Sequence, residues 1–305
     1  MNVDKIWVNG EIMKEEEANI SVLSHALHYG SSFFEGIRAY QMSDGRTAVF
    51  RLYEHMRRLH ETAKMYRTSI PYTIEELMDA TKLVLQENKL ASAYIRPLVF
   101  RGRGSLGVNP MTCPVETVIA AWDWGAYLGE EGIMNGIDVQ ISSWRRLAPD
   151  TIPALAKAGG NYLSSQLIKM EALENGYAEG IALDYQGNIS EGSGENIFIV
   201  KDNILYTPPL GASALSGITR HTIMSLAADI GIETKEQVMP REFLYTADEV
   251  FLTGTAAEVT PVRSVDRIPV GVGTVGPVTK QLQQAFTELI KGENETHKDW
   301  LYVVE

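Results

Sequence analysis

The sequence predicts a mixed α/β (α+β) protein built as two domains, a smaller N-terminal one and a larger C-terminal one. Three observations lead there. Stretches with the period of a strand alternate with stretches with the period of a helix along almost the whole chain. A length of 305 residues suggests roughly two domains. All periodicity is lost over Asp123–Gly132, and resumes at Ile137. The boundaries that follow are 1–123 for the first domain, 124–136 for the linker and 137–305 for the second domain.

Composition narrows the class. With 45% hydrophobic and 22% charged residues the chain is ordinary for a soluble globular protein and has enough apolar mass for a sizeable core. A formal charge of -12 argues against nucleic acid, which needs a basic surface, and makes any anion-binding arginine a local exception. Cys113 is the single cysteine, so neither a disulfide framework nor a cysteine-based metal site can be built. The first residues carry charges where a signal core would be apolar, and no run approaches the ~18 apolar residues of a membrane span. The expectation is a soluble, cytoplasmic protein with no membrane partner.

The elements follow in order. Ile6–Val8, Asn9-Gly10 and Glu11–Met13 read as a hairpin, since Asn-Gly supplies the positive φ values of a two-residue turn. Residues 21–40 hold His25, His28, Tyr29, Phe33 and Phe34 among glycines, a set that could line a cavity. His25 and His28 are three apart, but no second cluster completes a metal site, and no metal is expected. Asp44-Gly45 turns into a strand at Thr47–Arg51. From Tyr53 to Arg67, Met56, Leu59, Ala63 and Tyr66 recur at helical spacing. Arg57 and Arg58 lie between Glu54 and Glu61, which allows surface salt bridges along that helix. Thr73 and Glu76 form a capping-box pattern opening a second helix to about Asn88.

Tyr94–Phe100 reads as a strand on which Tyr94 and Arg96 share a face. An arginine in so apolar a strand calls for an anion, either a ligand carboxylate or one of the protein's own. Gly102, Gly104 and Gly107 then match the GxGxxG dinucleotide fingerprint. That fingerprint works only where a helix begins within it, and Pro110 and Pro114 prevent one, so the stretch reads as a mobile glycine-rich loop able to reach a ligand. Glu116–Trp122 is a further strand.

In the second half, strand Ile137–Ser142 leads to the lysine-bearing loop and a helix from about Asn161 to Glu174, closed by Asn175-Gly176. Gly180–Asp184 and Asn188–Val200 read as antiparallel strands, the second broken by glycines around Glu191 and Glu195 as at a bulge that aims a side chain. Ile204–Tyr206 is a strand. Ser216–Arg220 opens a helix to about Asp229 whose first turn is either an anion site or simply a well-capped start. Strand Glu249–Thr253 ends in Gly254, after which Thr255–Glu258 has the form of a capping box. A helix from about Pro277 to Lys291 closes the chain.

Lys157 stands alone among Leu155, Ala156 and Ala158, with two glycines following. In such surroundings the charged amine is disfavoured and the neutral amine becomes a nucleophile for Schiff-base chemistry with a carbonyl substrate or with pyridoxal 5'-phosphate (PLP). A lysine that snorkels out between small residues is the plainer alternative.

Nine segments in order decide between these. They are His25–Gly30, Phe34–Arg38, Glu54–Leu59, Ala93–Pro97, Gly107–Pro110, Ala156–Tyr162, Ser190–Asn196, Gly217–Arg220 and Gly254–Glu258. Over nearly its whole length the chain resembles the branched-chain amino-acid aminotransferases of the fold-type IV PLP enzymes. The resemblance implies an active site between two domains, and a reversible transfer of the amino group of L-leucine, L-isoleucine or L-valine to 2-oxoglutarate. It implies that Lys157 carries the cofactor as a Schiff base and moves the substrate proton, that Glu191 pairs with the pyridine nitrogen, and that Tyr162 hydrogen-bonds the phenolic oxygen. Arg58, Ile218, Thr219 and Thr255 match phosphate-binding positions, so the salt-bridge reading stays with Arg57.

On the substrate side the resemblance implies that Tyr94 and the Thr255-Ala256 turn hold the α-carboxylate. Arg96, Tyr29 and the backbone of Val108 take the distal carboxylate of glutamate, and Phe34, Trp124, Tyr162 and Leu106 line an apolar pocket. It further implies a homodimer or higher homo-oligomer, with the 102–110 loop serving the partner subunit. Arg101 and Arg103 are then two extra cations in a loop that meets acidic substrates. Alternatives with the same fold are enzymes of D-amino acids or (R)-amines and PLP lyases. From other classes, a nicotinamide-dependent oxidoreductase rests on the glycines of 102–107 alone, and a non-catalytic binding protein gives Lys157 no task.

Overall fold

The computed structural model describes residues 3–124 and 128–304. The chain is mixed α/β, and it divides into two compact units, Met1–Trp124 with Ala156–Gly160 and Leu289–Glu305, and Gly125–Leu155 with Asn161–Glu288. Residues 125–127 of the predicted linker lie outside the described residues.

Among the described residues the first unit holds an eight-stranded antiparallel sheet. Its strands are β1 (Lys5–Val8), β2 (Glu11–Lys14), β3 (Ser32–Phe34), β4 (Ile37–Gln41), β5 (Thr47–Phe50), β6 (Ala93–Arg101), β7 (Val115–Trp122) and the C-terminal strand Leu301–Val304. The order runs from the C-terminal strand through β5, β4, β6, β7 and β1 to β2, with β3 beside β6. Asn9 and Gly10 take φ values of 48° and 104°, which makes the two-residue turn between β1 and β2. After the short helix α1 (His25–Tyr29), α2 (Leu52–Met65) buries His55, Met56, Leu59, Thr62 and Ala63 at spacings of three and four. Helix α3 (Ile74–Glu87) begins with the capping box, in which Thr73 accepts from the Glu76 amide at 3.1 Å and Glu76 accepts from the Thr73 amide at 2.7 Å. One core joins these helices to the sheet and takes in Ala156 and Ala158.

The second unit has a nine-stranded mixed sheet among the described residues. Its strands are β8 (Ile137–Arg145), β9 (Glu179–Leu183), β10 (Ile189–Gly192), β11 (Asn196–Lys201), β12 (Ile204–Thr207), β13 (Thr234–Glu236), β14 (Glu249–Gly254), β15 (Glu258–Val265) and β16 (Ile268–Pro269). The order is β10-β9-β8-β15-β14-β11-β12-β13, with β16 beside β15. Helix α4 (Glu130–Asn135) fills part of the stretch read as aperiodic, because six residues between Gly129 and Gly136 are too few to display a period. Helix α5 (Tyr162–Glu174) links the parallel neighbours β8 and β9 and lies against both. Helices α6 (Ile218–Asp229), α7 (Glu242–Tyr245) and α8 (Pro277–Ile290) complete the unit, and the buried Glu249 carboxylate accepts the Val278 and Thr279 amides at the α8 start.

One predicted feature is overturned. Thr255–Ala257 is a hairpin turn, and Glu258, at φ 52°, begins a strand rather than a capped helix. The Val-Thr-Pro-Val run that follows is β-branched and holds a proline, so it extends as β15 instead of coiling.

Candidate functional site

In the first unit the segment 156–160 runs beside β3. Phe33 bridges Ala158, the Phe34 amide donates to the Lys157 carbonyl at 3.1 Å, and the Lys157 amide donates to Thr62 Oγ1 at 3.1 Å. Ala156 and Ala158, each 2% exposed, are buried in the core, so by alternation the Lys157 side chain leaves on the other face, with Nζ 4.9 Å from the centroid of the Phe34 ring. The alanines that made Lys157 conspicuous thus hold its backbone.

Arg58 is tied to Glu35, which the sequence reading had not singled out. Arg58 Nε donates to Glu35 Oε1 at 2.7 Å and Nη2 to Oε2 at 2.8 Å, and His55 Nδ1 donates to the same Oε2 at 2.7 Å. Glu35 and His55 are fully buried. Burial alone would raise the Glu35 carboxyl, but the Arg58 charge and the hydrogen bonds hold it well below the usual carboxylate range. Burial also pushes the His55 imidazole down, so His55 serves as a neutral donor and Arg58 supplies the charge. The available signal was Glu35 itself, a lone acid in the apolar run Phe33–Ile37, where the reasoning used for Lys157 applies. Arg57 makes the exposed pair with Glu61 at 3.6 Å, while Glu54 turns to Arg51.

Tyr94 and Arg96 share a face of β6, where Arg96 Nη2 donates to the Tyr94 hydroxyl at 3.1 Å. The Arg96 guanidinium lies 4.8 Å from the Phe34 ring centroid and 5.9 Å from that of Trp122, and the Trp124 ring meets Tyr94 edge-on at 4.5 Å. Arg96 Nε and Trp122 Nε1 are buried donors with no acceptor among the described residues. The Tyr94 hydroxyl passes directly over Gly36, where a Cβ would collide with it. Tyr29, Leu106 and Val108 form a second cluster, 47%, 51% and 78% exposed, in which the Tyr29 hydroxyl donates to the Leu106 carbonyl at 2.8 Å.

Two expectations about the 102–110 loop need correction. Arg101 is the buried last residue of β6 and donates to the carbonyls of Cys113 and Arg67, so it is a strut rather than a substrate cation, whereas Arg103 is exposed. The loop is also not loosely held: Cys113 Sγ, His25 and Tyr29 bond to its Ser105, Gly107 and Leu106 carbonyls. No helix follows its glycines. His25 spends both ring nitrogens on Ser31 and Gly107 and His28 Nε2 bonds the Val22 carbonyl, and no group of three or more His, Cys, Asp or Glu among the described residues could hold a metal ion.

In the second unit Glu191 is buried on β10, just past the place where the β10–β9 register shifts. Oε1 faces Arg146 Nη2 at 2.7 Å, and Oε2 accepts from Asn196 Nδ2 at 3.0 Å and the Leu215 amide at 2.9 Å. Arg146 and Asn196 were not anticipated, since Arg146 reads as one of two adjacent basic residues at a strand end. Tyr162 is half-buried at the start of α5, and Thr255 and Ala256 are half-buried in the β14–β15 turn. Ile218 and Thr219 are buried in the first turn of α6, where Gly217 offers no side chain to cap the amides. A helix start of this kind is a place where backbone N–H groups can hold an anion.

The chain's relatives fit this inventory. The family described as Amino-transferase class IV matches residues 32–265. The chain belongs to the class IV aminotransferases. A branched-chain-amino-acid aminotransferase of Escherichia coli is 58% identical over 299 residues, 98% of this chain and 96% of that one. The crystal structure of an Escherichia coli branched-chain amino acid aminotransferase superposes with a TM-score of 0.98 at 57% identity, covering all of both chains. That of a Thermobaculum terrenum branched-chain enzyme in its PLP-form gives 0.93 at 33% identity, covering 100% of this chain and 99% of that one. Class IV aminotransferases use PLP, and so does this chain; the lysine amine and the arginine of the first unit and the buried carboxylate of the second are groups of the kind that this cofactor bonds to.

Proposed function

We propose that this class IV aminotransferase uses PLP to move the amino group of L-leucine, L-isoleucine or L-valine to 2-oxoglutarate, reversibly, giving the branched 2-oxo acids and L-glutamate. One observation carries the substrate reading. Among the described residues Arg96 Nε and Trp122 Nε1 are buried donors without an acceptor, and Arg96 lies among the rings of Phe34, Tyr94 and Trp122. Such a place suits an aliphatic side chain by its rings and a carboxylate by its unanswered donors.

When bound, PLP supplies an electrophilic carbon for the amine and a ring that accepts electrons beside it. Lys157 holds the cofactor through Nζ, takes the proton from the substrate Cα and returns it. Glu191 keeps the ring nitrogen protonated, and Arg146, Asn196 and the Leu215 amide fix that carboxylate in place. Tyr162 donates its hydroxyl to the phenolic oxygen. Arg58, oriented by Glu35, joins Thr255 and the Ile218 and Thr219 amides in holding the phosphate. Tyr94 and the Thr255-Ala256 turn bind the α-carboxylate. Arg96, Tyr29 and the Val108 amide take a distal carboxylate, and Phe34, Trp124, Tyr162 and Leu106 surround an aliphatic chain.

The same reading takes residues 1–123 as an N-terminal domain, 124–136 as a linker and 137–305 as a C-terminal domain, with residues 156–160 and 289–305 belonging to the first compact unit. It also makes the protein a cytoplasmic homodimer at least, the loop of one copy serving the site of the other. The exposure of Tyr29, Leu106 and Val108 supports that exchange, since they are too open to enclose a ligand within one chain. No described helix is long and apolar enough to cross a membrane.

The visible spectrum tests the proposal. Purified with PLP, the protein should show a bound-cofactor band that disappears when L-leucine is added without an oxo acid and returns with 2-oxoglutarate. A band indifferent to L-leucine would remove the substrate reading. Lys157→Ala should abolish turnover, and an active variant would overturn the role of the amine.

A further inference from the structure

We propose that His25 is the positioning residue that aims the Val108 amide, and so sets how well carboxylate side chains compete with aliphatic ones. The inference rests on the function proposed above and adds a residue which that reading leaves idle. His25 is 1% exposed at the start of α1 and its ring spans two partners, with Nδ1 2.7 Å from Ser31 Oγ and Nε2 3.1 Å from the Gly107 carbonyl oxygen. A carbonyl oxygen only accepts, so Nε2 carries the hydrogen, and in the neutral ring Nδ1 accepts from the Ser31 hydroxyl. Ser31 thereby fixes the tautomer that bonds Gly107. The Tyr29 ring packs on His25 at 4.5 Å between centroids, and the His25 amide donates to the Gly102 carbonyl at 3.0 Å.

What this holds is a peptide plane. The Gly107 carbonyl and the Val108 amide belong to one planar, trans peptide, so they point in opposite directions. Fixing the carbonyl toward His25 fixes the Val108 N–H away from it. The preceding plane is held too, as Ser105 Oγ accepts the Gly107 amide at 3.1 Å and Tyr29 takes the Leu106 carbonyl while no distal carboxylate claims its hydroxyl. Glycine at 107 leaves this backbone free to rotate, and it takes one orientation because side chains, the buried His25 among them, answer its polar groups. A carboxylate bound by an N–H requires that orientation, whereas an aliphatic chain packed on Leu106 depends little on direction.

The test compares holoenzyme variants His25→Leu, which removes the donor, and His25→Gln, which offers an amide N–H from a side chain of similar reach. Single-turnover kinetics with L-glutamate and with L-leucine give the ratio of their specificity constants. We expect His25→Leu to lower that ratio about tenfold through a weaker L-glutamate interaction, the scale of a lost hydrogen bond to a charged group, and His25→Gln to restore most of it. Trypsin should also cut after the exposed Arg103 faster in His25→Leu than in the wild type. Equal losses for both substrates, or an unchanged ratio, would overturn the inference even where the wild type transaminates L-leucine. A wild type inactive with L-leucine would instead remove the function on which it rests, while the trypsin comparison still reports on the loop. If His25→Leu does not fold, Ser31→Ala, which frees the ring tautomer, should lower the ratio in the same direction, and no change there counts against the proposal.

Discussion

Glu35 shows how much a single buried carboxylate can hold in place. It accepts from both edges of the polar set, Arg58 and His55, with no exposure to water. Glu35→Gln keeps the shape and removes the charge, leaving Arg58 half-answered. The expected loss is about 3–5 kcal/mol in chemical denaturation, with weaker retention of PLP on dialysis. Glu195 behaves in the opposite sense. Burial, with the nearby Glu179 charge, pushes its carboxyl up to about 8, so the folded protein keeps a proton that the unfolded chain releases near 4.5. Between those values the folded state binds the extra proton, and stability contributed by Glu195 falls as pH rises, by up to about 1.4 kcal/mol per pH unit, before levelling above 8. Glu195→Gln should flatten that slope in denaturation curves taken from pH 5 to 8. At this scale Lys157 and Arg96 stand out in the sequence because each is alone among apolar residues. Glu35 gave the same sign and was passed over, and Arg146 gave none, since its partner Glu191 is 45 positions away and only the turn of β10 brings them together.

Elements with a local cause could be read in advance. The Asn9-Gly10 hairpin and the Thr73–Glu76 capping box depend on neighbours in sequence, and both are present. Thr73→Ala should cost about 1 kcal/mol, measurable as a lower denaturation midpoint with an unchanged slope. The same four-residue pattern at Thr255 misled, because a capping box needs a helix after it and the β-branched residues that follow pair with β14 instead. Strand β4 and the C-terminal strand were missed for different reasons. The pairing of the C-terminal strand, with β5, joins positions far apart in the chain, whereas β4 pairs with β5 across the Asp44-Gly45 turn and its local signal went unread. The start of α6 has two readings in the sequence, and its burial, which spacing does not report, is what the structure adds.

The mixed α/β class followed from the alternation of periods, but the assembly of the whole could not be read so directly. Helix α5 buries Ser165, Ile168 and Ala172 and still presents Leu163, Leu167, Met170 and Leu173 on its outer face, four apolar residues open to water at helical spacing. In the proposed homo-oligomer a second copy covers such a face. Replacing Leu167 and Met170 together by glutamate should shift the protein to a smaller species in light scattering coupled to size exclusion, or leave its mass unchanged if this face stays open. The C-terminal strand carries a consequence for synthesis. It pairs with β5, and residues 156–160 pack in the same core, so the first unit to leave the ribosome cannot be finished in its turn. Its sheet lacks an edge until residue 304 has been added, while the strands of the second unit are already complete by residue 269. An N-terminal unit that folds first does so without this edge strand. The newborn N-terminal half waits with the edge of β5 open, and chaperones would be expected to meet it there.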